Sequence, residues 1–268
     1  MMSKKVKIPY KNGEIVELYA ICDTHFGHVG VQKQLFQQHV NEIKERNAYW
    51  IHLGDIADAV TVTDHRYDIL NIDKEMLTIN EQYSYATESL KPIAGTCLGI
   101  MCGNHDDTIR TQINTGYDYA SFVARDLNAS YLGYMAFLKL EFENNHNDRW
   151  GQTIYLWHGK GGGRKVGSPL NRLTDLAADY DADHYLIGHY HRLVTVQNAQ
   201  LYHSSNGRHD MIMKRNRIFG ICGGYLEGFV DDKITYIERD GYSPSVLGCL
   251  RLEFDPENRR TEFRTRSE

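Results

Sequence analysis

Five short clusters of metal-ligand residue types punctuate this sequence, and each directly follows an apolar, strand-like run. Residues 15–22 lead into Asp23-Thr24-His25, and residues 49–53 into Gly54-Asp55-Ile56-Ala57-Asp58. Residues 97–102 lead into Gly103-Asn104-His105-Asp106, residues 153–157 into His158-Gly159, and residues 185–187 into Gly188-His189-Tyr190-His191. Strands joined by crossover helices lie parallel, and ligand sites form outside their carboxyl ends, so five such loops converge on one crevice. The pattern therefore points to an α/β chain with its chemistry at one edge of the sheet.

The segments between the clusters fit that class. Residues 31–46 place Val31, Leu35, Phe36, Val40 and Ile43 on one helical face, and residues 73–90 do the same with Met76, Ile79, Tyr83, Ala86 and Leu90. Residues 118–126 read as a further helix. Ser168-Pro169 supplies a capping residue and a first-turn proline for another, with Leu170, Leu173, Leu176 and Tyr180 as its buried stripe. The turn-rich stretch 144–148 between two strand-like runs predicts a hairpin. Strands after Leu193, including 218–222 and 246–254, are expected to complete a second sheet. No repeat or Pro/Ser-rich linker interrupts the chain, so a single domain over 1–268 is expected.

Composition narrows the class further. At 41% hydrophobic and 24% charged residues the chain is neither disordered nor membrane-like. Its start, MMSKKVKIPYKNGE, has no apolar h-region behind its basic residues, which leads us to expect a cytoplasmic protein without a membrane partner. Five cysteines without CxxC spacing argue against a disulfide framework or zinc knuckle and are expected to be reduced. A net charge of −5 gives no global basic footprint for nucleic acid. Two divalent cations would nonetheless bring about four positive charges to a site by themselves, so the local balance matters more.

Thirteen histidines are the unusual count, and those in the clusters stand beside carboxylates. Imidazole and carboxylate oxygen suit Mn, Fe, Zn, Ni or Co, and the lack of cysteine ligands disfavours a structural zinc site. An isolated D-x-H arises by chance, and G-N-H-D by itself reads as a turn. Five such elements in order, each at a strand end, do not arise that way.

Asp23-x-His25, Gly54-Asp55-x-x-Asp58, Gly103-Asn104-His105-Asp106, His158 and Gly188-His189-x-His191 together resemble the full signature of the calcineurin-like metallophosphoesterase superfamily, over roughly residues 16 to 192. The resemblance implies a four-layer α/β/β/α sandwich of two mixed β-sheets with a dinuclear metal site at the strand ends. It implies that Asp23, His25 and His191 hold one divalent ion, that Asn104, His158 and His189 hold the other, and that Asp55 bridges both. Manganese is the foremost expectation for the two ions, with Fe, Zn, Ni or Co as alternatives. His105 follows a ligand without being one, so it is expected to protonate the leaving group, with Asp106 holding its other ring nitrogen. Asp58 is expected to orient a histidine or a backbone amide. His28 either touches substrate or sits on an exposed loop.

Ala59 and Val60 after Asp58, and Asp106 in place of glutamate, depart from the protein-phosphatase pattern; His105 departs from that of the lipid A pathway pyrophosphatases. Cys22-Asp-Thr-His-Phe-Gly27 with the other motifs is more similar to Mre11/SbcD-type nucleases and stand-alone phosphodiesterases, although no long C-terminal extension for a partner ATPase follows. Lys160-Gly-Gly-Gly-Arg164-Lys165 offers amides and three cations for a phosphate or a nucleic-acid backbone. Arg208, Lys214, Arg215 and Arg217, with Tyr202 and Phe219 nearby, form a second basic stretch. The expected function is hydrolysis of phosphodiesters, with DNA or RNA as substrate. Nucleotides or other small phosphoesters, and a non-catalytic scaffold of the same fold, stand as alternatives. Nothing in the sequence speaks to oligomeric state.

Overall fold

Period-two alternation decides how the strands are layered, because neighbouring residues of a strand face opposite sides of its sheet. The computed structural model describes residues 1–64, 66–112, 118–162, 165, 167–205 and 210–267. In chain order its elements are β1 (Met2–Pro9), β2 (Val16–Ile21), α1 (Lys33–Arg46), β3 (Tyr49–His52), α2 (Ile79–Leu90), β4 (Cys97–Ile100), α3 (Asn104–Gln112) and α4 (Tyr119–Asp126). There follow β5 (Met135–Glu143), β6 (Arg149–Trp157), α5 (Gly167–Asp179), β7 (His184–Ile187), β8 (Leu193–Ser205), β9 (Asp210–Cys222), the short α6 (Tyr236–Arg239), β10 (Cys249–Asp255) and β11 (Arg260–Arg266).

Two mixed sheets result. The five-stranded one runs β11-β10-β2-β3-β4, with β2, β3 and β4 parallel and β10 and β11 antiparallel at its other side. The six-stranded one runs β1-β5-β6-β7-β9-β8, with β6, β7 and β9 mutually parallel. Along β2, Leu18 and Ala20 join a core that also holds Leu138, Leu140, Ile154 and Leu156 of the other sheet. Tyr19 and Ile21 join a second core with Leu35, Phe36, Val40 and Ile43 of α1 and Tyr83, Ala86 and Leu90 of α2. A third cluster sets Leu173 of α5 against Tyr155, Tyr185, Ile187 and Phe219.

Several expectations shift. The helix expected over 73–90 starts at Ile79, because Thr78 is extended and forms a capping box with Glu81. The strands after Leu193 do not all join one sheet: β8 and β9 extend the six-stranded sheet, whereas β10 and β11 extend the five-stranded one. β1, unmarked in the sequence reading, pairs in parallel with β5 and alternates lysines with inward Val6 and Ile8. α3 was also unmarked, since its sequence NHDDTIRTQ carries almost no apolar stripe. All five cysteines are free. No helix among the described residues is long and apolar enough to cross a membrane.

Two buried histidines away from the ligand clusters make stability depend on pH. His39 pairs with the Tyr225 hydroxyl at 2.8 Å and His184 with Gln152 Oε1 at 2.8 Å. Burial lowers their pKa values to about 4 and about 3. Both are neutral in the fold, while the unfolded chain takes up protons near pH ~6.5. Their contribution is therefore complete above that pH and is lost as pH falls from it towards 3, at up to ~1.4 kcal/mol per unit for each. Urea denaturation should show a lower midpoint at pH 5 than at pH 7.5, with a shallower pH dependence in His184→Leu; an unchanged slope in that variant would contradict the assignment.

Candidate metal centre and active site

Parallel β2, β3 and β4 bring three of the five clusters to one sheet edge, and the loops continue the pairing beyond the strands. The Asp23 N–H donates to Gly54 O at 3.1 Å and the His25 N–H to Asp55 O at 3.2 Å. The other two clusters follow β6 and β7 of the second sheet. Two bonds sew the sheets together here: His158 Nδ1–H donates to Leu53 O at 2.7 Å, and the His189 N–H donates to Asp23 Oδ2 at 2.9 Å.

A side chain at the end of a strand points across the sheet, not over its edge, unless the backbone turns. Asp23, His25, Asp55, His189 and His191 all turn by adopting positive φ, between 45° and 70°. This left-handed region is uncommon for residues with a Cβ, although Asp and His tolerate it better than most. Five of the seven expected ligands share it. Gly103 solves a different problem: a Cβ there would lie 2.1 Å from Asp55 Oδ1 and 2.3 Å from Asp55 N.

The seven side chains converge in two groups. Asp23, His25 and His191 bring donor atoms within 4.8 Å of one another, as do Asp55, His158 and His189. Within the first, His25 Nε2 is 3.1 Å from His191 Nε2 and 4.0 Å from Asp23 Oδ1. Within the second, His158 Nε2 is 3.3 Å from Asp55 Oδ2 and 3.1 Å from Asn104 Oδ1. Asp55 Oδ2 also reaches the first group, 3.7 Å from His25 Nε2. Donors held ~2.1 Å from a divalent ion stand ~3.0 Å apart at adjacent octahedral positions and ~3.4 Å apart in a tetrahedron. The observed separations fit such ions.

Tautomers fit as well. His158 spends its Nδ1 proton on Leu53 O, and His25 Nδ1 lies 3.3 Å from Asp58 Oδ1, so that both Nε2 atoms point at the cluster. Asp58 thus orients His25, as expected. His189 Nε2–H donates to Gly161 O at 2.9 Å and leaves Nδ1 as its lone-pair nitrogen. His191 Nδ1 is buried with no hydrogen-bond partner among the described residues.

The charges point the same way. Burial, with the Asp55 charge adding to it, pushes Asp23 up to about 7. Burial would raise Asp55 too, but His158, His105 and His25 outweigh it and hold Asp55 well below the usual range. Burial opposes the His158 cation, yet the Asp55 carboxylate overrides it and lifts His158 to about 9. Two buried carboxylates and four imidazoles in one cluster are a donor set in need of positive charge.

His105 and Asp106 part company. His105 Nδ1–H donates to Asp58 O at 2.5 Å, and its backbone N–H donates to Asp55 Oδ1 at 2.9 Å. Asp106 does not hold the His105 ring; its carboxylate accepts from Gly103 N at 2.8 Å, Asp55 N at 2.9 Å and the Tyr83 hydroxyl at 2.5 Å. The reason is α3, which starts at Asn104 and turns adjacent side chains about 100° apart. Asp106 therefore fixes the loops that carry Asp55 and Asn104. The group at His105 Nε2 is Arg66, whose Nη1 lies 2.5 Å away and whose guanidinium is held by Asp64 through Nε at 3.0 Å and Nη2 at 2.7 Å. Arg66 escaped the sequence reading because no motif surrounds it.

The centre opens into a cavity of about 780 Å³ lined by Asp55, Asn104, His105, His189, Arg66 and Lys160 among others. Lys165 is exposed and outside its lining, and Arg164 lies outside the described residues. In the glycine-rich loop, Lys160 O accepts from Arg172 and from the Tyr190 hydroxyl, while Gly163 and Val166 lie outside the described residues. His28 neither lines the cavity nor sits exposed; it is 2% accessible and its Nδ1 accepts from Gly30 N at 3.0 Å. Of the second basic stretch, Arg208 lies outside the described residues, while Arg215 and Arg217 pair with Asp181 and do not line the cavity.

No family model matches the chain. No curated protein matches its sequence. Among solved structures it is similar to a conserved protein of Streptococcus pneumoniae described as a predicted phosphoesterase, at 12% identity and TM-score 0.35, covering 94% of this chain and 99% of that one. The phosphoesterase YfcE of E. coli gives 11%, 0.39 and the same coverages, and Entamoeba histolytica Vps29 complexed with zinc gives 10%, 0.36 and again the same coverages. Likenesses at this level do not identify a family.

Two measurements test the centre. Metal affinity should fall as pH drops through 7, because Asp23 must release its proton to bind, and calorimetry in buffers of different ionisation enthalpy should show net proton release; no release would count against Asp23 as a ligand. Gly103→Ala should weaken metal binding ~10–100-fold by displacing Asp55 while the far-ultraviolet circular dichroism stays unchanged.

Proposed function

We propose that this chain is a metal-dependent phosphoesterase of the calcineurin-like superfamily that hydrolyses phosphodiesters. The observation that carries the reading is the convergence of six His and Asp donors in two groups, with Asn104 beside His158 and Asp55 Oδ2 standing between His25 and His158. The same reading takes the three core clusters as the interfaces of a four-layer α/β/β/α sandwich and takes the whole chain as one domain.

Two divalent cations, with manganese the first choice, would supply the charge that neutralises phosphoryl oxygens and makes water a competent nucleophile at neutral pH. Asp23, His25 and His191 would hold one, and Asn104, His158 and His189 the other, with Asp55 between them. The protein's own part is to keep these donors fixed. Asp58 and Leu53 O set two histidine tautomers, and the backbone N–H of His105 steadies Asp55.

His105 remains the group for the leaving oxygen. Its Nδ1–H is committed to Asp58 O, so Nε2 is the nitrogen that faces the cavity and would carry the transferable proton. Arg66 occupies that nitrogen in the absence of substrate and is placed to exchange it for a phosphoryl oxygen, which bidentate Asp64 pre-orients it to do. DNA or RNA is one form of the substrate class, and an Mre11/SbcD-type relationship would accord with it. The donor set favours a catalytic role over a scaffold, because every ligand position is filled.

Hydrolysis of bis-p-nitrophenyl phosphate should require added metal and vanish in Asp55→Asn; activity that survives a chelator would refute the proposal. His105→Ala should bind metal normally yet lose ~10²–10⁴-fold in kcat on alkyl esters and much less on p-nitrophenyl esters, whose leaving group needs no proton. Equal losses on both would remove His105 from the acid role.

A further inference from the structure

The crossover between β9 and β10, residues 223–248, carries the chain from one sheet to the other past the donor cluster. It is anchored along its length. Tyr225 N–H donates to Asp23 O at 3.0 Å, Glu227 N–H to Gly30 O at 2.9 Å, and Gly248 N–H to Gly224 O at 2.9 Å. Lys233 Nζ reaches Leu70 O at 2.9 Å, and the Thr235 hydroxyl donates to Gly228 O. This is a built wall.

Its inner surface mixes apolar and polar side chains, Glu227, Asp240, Ser243 and Ser245 among the latter. Leu226, Phe229, Ile237, Tyr242 and Pro244 line the same cavity whose floor includes Asp55, Asn104 and His189. Phe229 and Tyr242 keep 42% and 45% of their surface exposed there. Two half-exposed aromatic side chains among the lining of a cavity of about 780 Å³ suit a site for an organic group, since polar groups fix such a ligand and apolar groups bury it.

The charge at the cavity is unsuited to a polymer. Arg66, Lys160 and Arg192 line it, but so do Asp107, Glu227 and Asp240. Beyond the donor cluster the lining thus has no basic excess along which a row of flanking phosphates could run. Arg215 and Arg217 pair with Asp181 and do not extend the lining.

We propose that the 223–248 wall is a subsite for a planar organic group next to the phosphoryl position, so that the substrate is a nucleotide-sized aromatic phosphoester and not a nucleic-acid chain. This rests on the phosphoesterase reading for the position of the phosphate, and its test has a binding arm that does not depend on turnover. With manganese-loaded protein, calorimetry should show thymidine 5′-monophosphate binding at least about tenfold tighter than inorganic phosphate. The Phe229→Ala/Tyr242→Ala double variant should bring the two to near parity, and Tyr242→Ala alone should cover part of the difference if the double variant folds poorly. In turnover, thymidine 5′-p-nitrophenyl phosphate should exceed methyl p-nitrophenyl phosphate about tenfold in kcat/KM. Equal binding of nucleotide and phosphate, no effect of the variants, or an oligonucleotide hydrolysed with a higher kcat/KM than the nucleoside ester would overturn the subsite. Turnover without preference removes the subsite alone; nucleotide preference without turnover of any ester removes the phosphoesterase reading and leaves the subsite standing.

Discussion

The Asp55 carboxylate is the constraint on which the rest of this structure turns. It is buried, within 3.7 Å of His25 Nε2 on one side and 3.3 Å of His158 Nε2 on the other, and it takes the His105 N–H on its second oxygen. A lone carboxylate in that position would be expensive to desolvate. Surrounding imidazoles and a backbone donor keep it ionised, and that ionised state is what two cations on either side of it would require. The Asp106 carboxylate, by gathering Gly103, Asp55 and Tyr83, holds the loops in an arrangement that keeps these partners in reach.

This arrangement is costly to the backbone. Five ligand residues sit at positive φ, and at ~1 kcal/mol or more apiece the total is comparable with half the net stability of a typical domain, ~5–15 kcal/mol. Such strain persists only where the surroundings over-determine the conformation. Here the loops are bonded across strands and across sheets: Asp23 to Gly54, His25 to Asp55, His189 to Asp23, His158 to Leu53 and Tyr225 to Asp23. Each bond satisfies a polar group that the turn would otherwise orphan, so function and backbone accounting are met by the same contacts.

Much of the fold was legible from periodicity. The α1 face of Leu35, Phe36, Val40 and Ile43 is buried as its spacing requires, and the strand ends carry the clusters. What periodicity missed has physical reasons. α3 has hardly any apolar stripe because its first turn is committed to the centre, and β1 hides its alternation among lysines. The end of the chain splits between sheets because β10 finds its partner in β2, a pairing some 230 residues apart in sequence that no local pattern encodes.

For the site, the sequence by itself placed seven candidate donors in order at the strand ends, because ligand chemistry restricts residue type and strand ends restrict position. Only the tertiary structure decided that Asp106 serves Gly103 and Asp55 and not His105, that Arg66 is the group at His105 Nε2, and that Arg215 and Arg217 lie away from the centre. These depend on helical rotation at Asn104 and on contacts between segments distant in sequence, and neither direction nor long-range partnership is written in the spacing of residues along one strand.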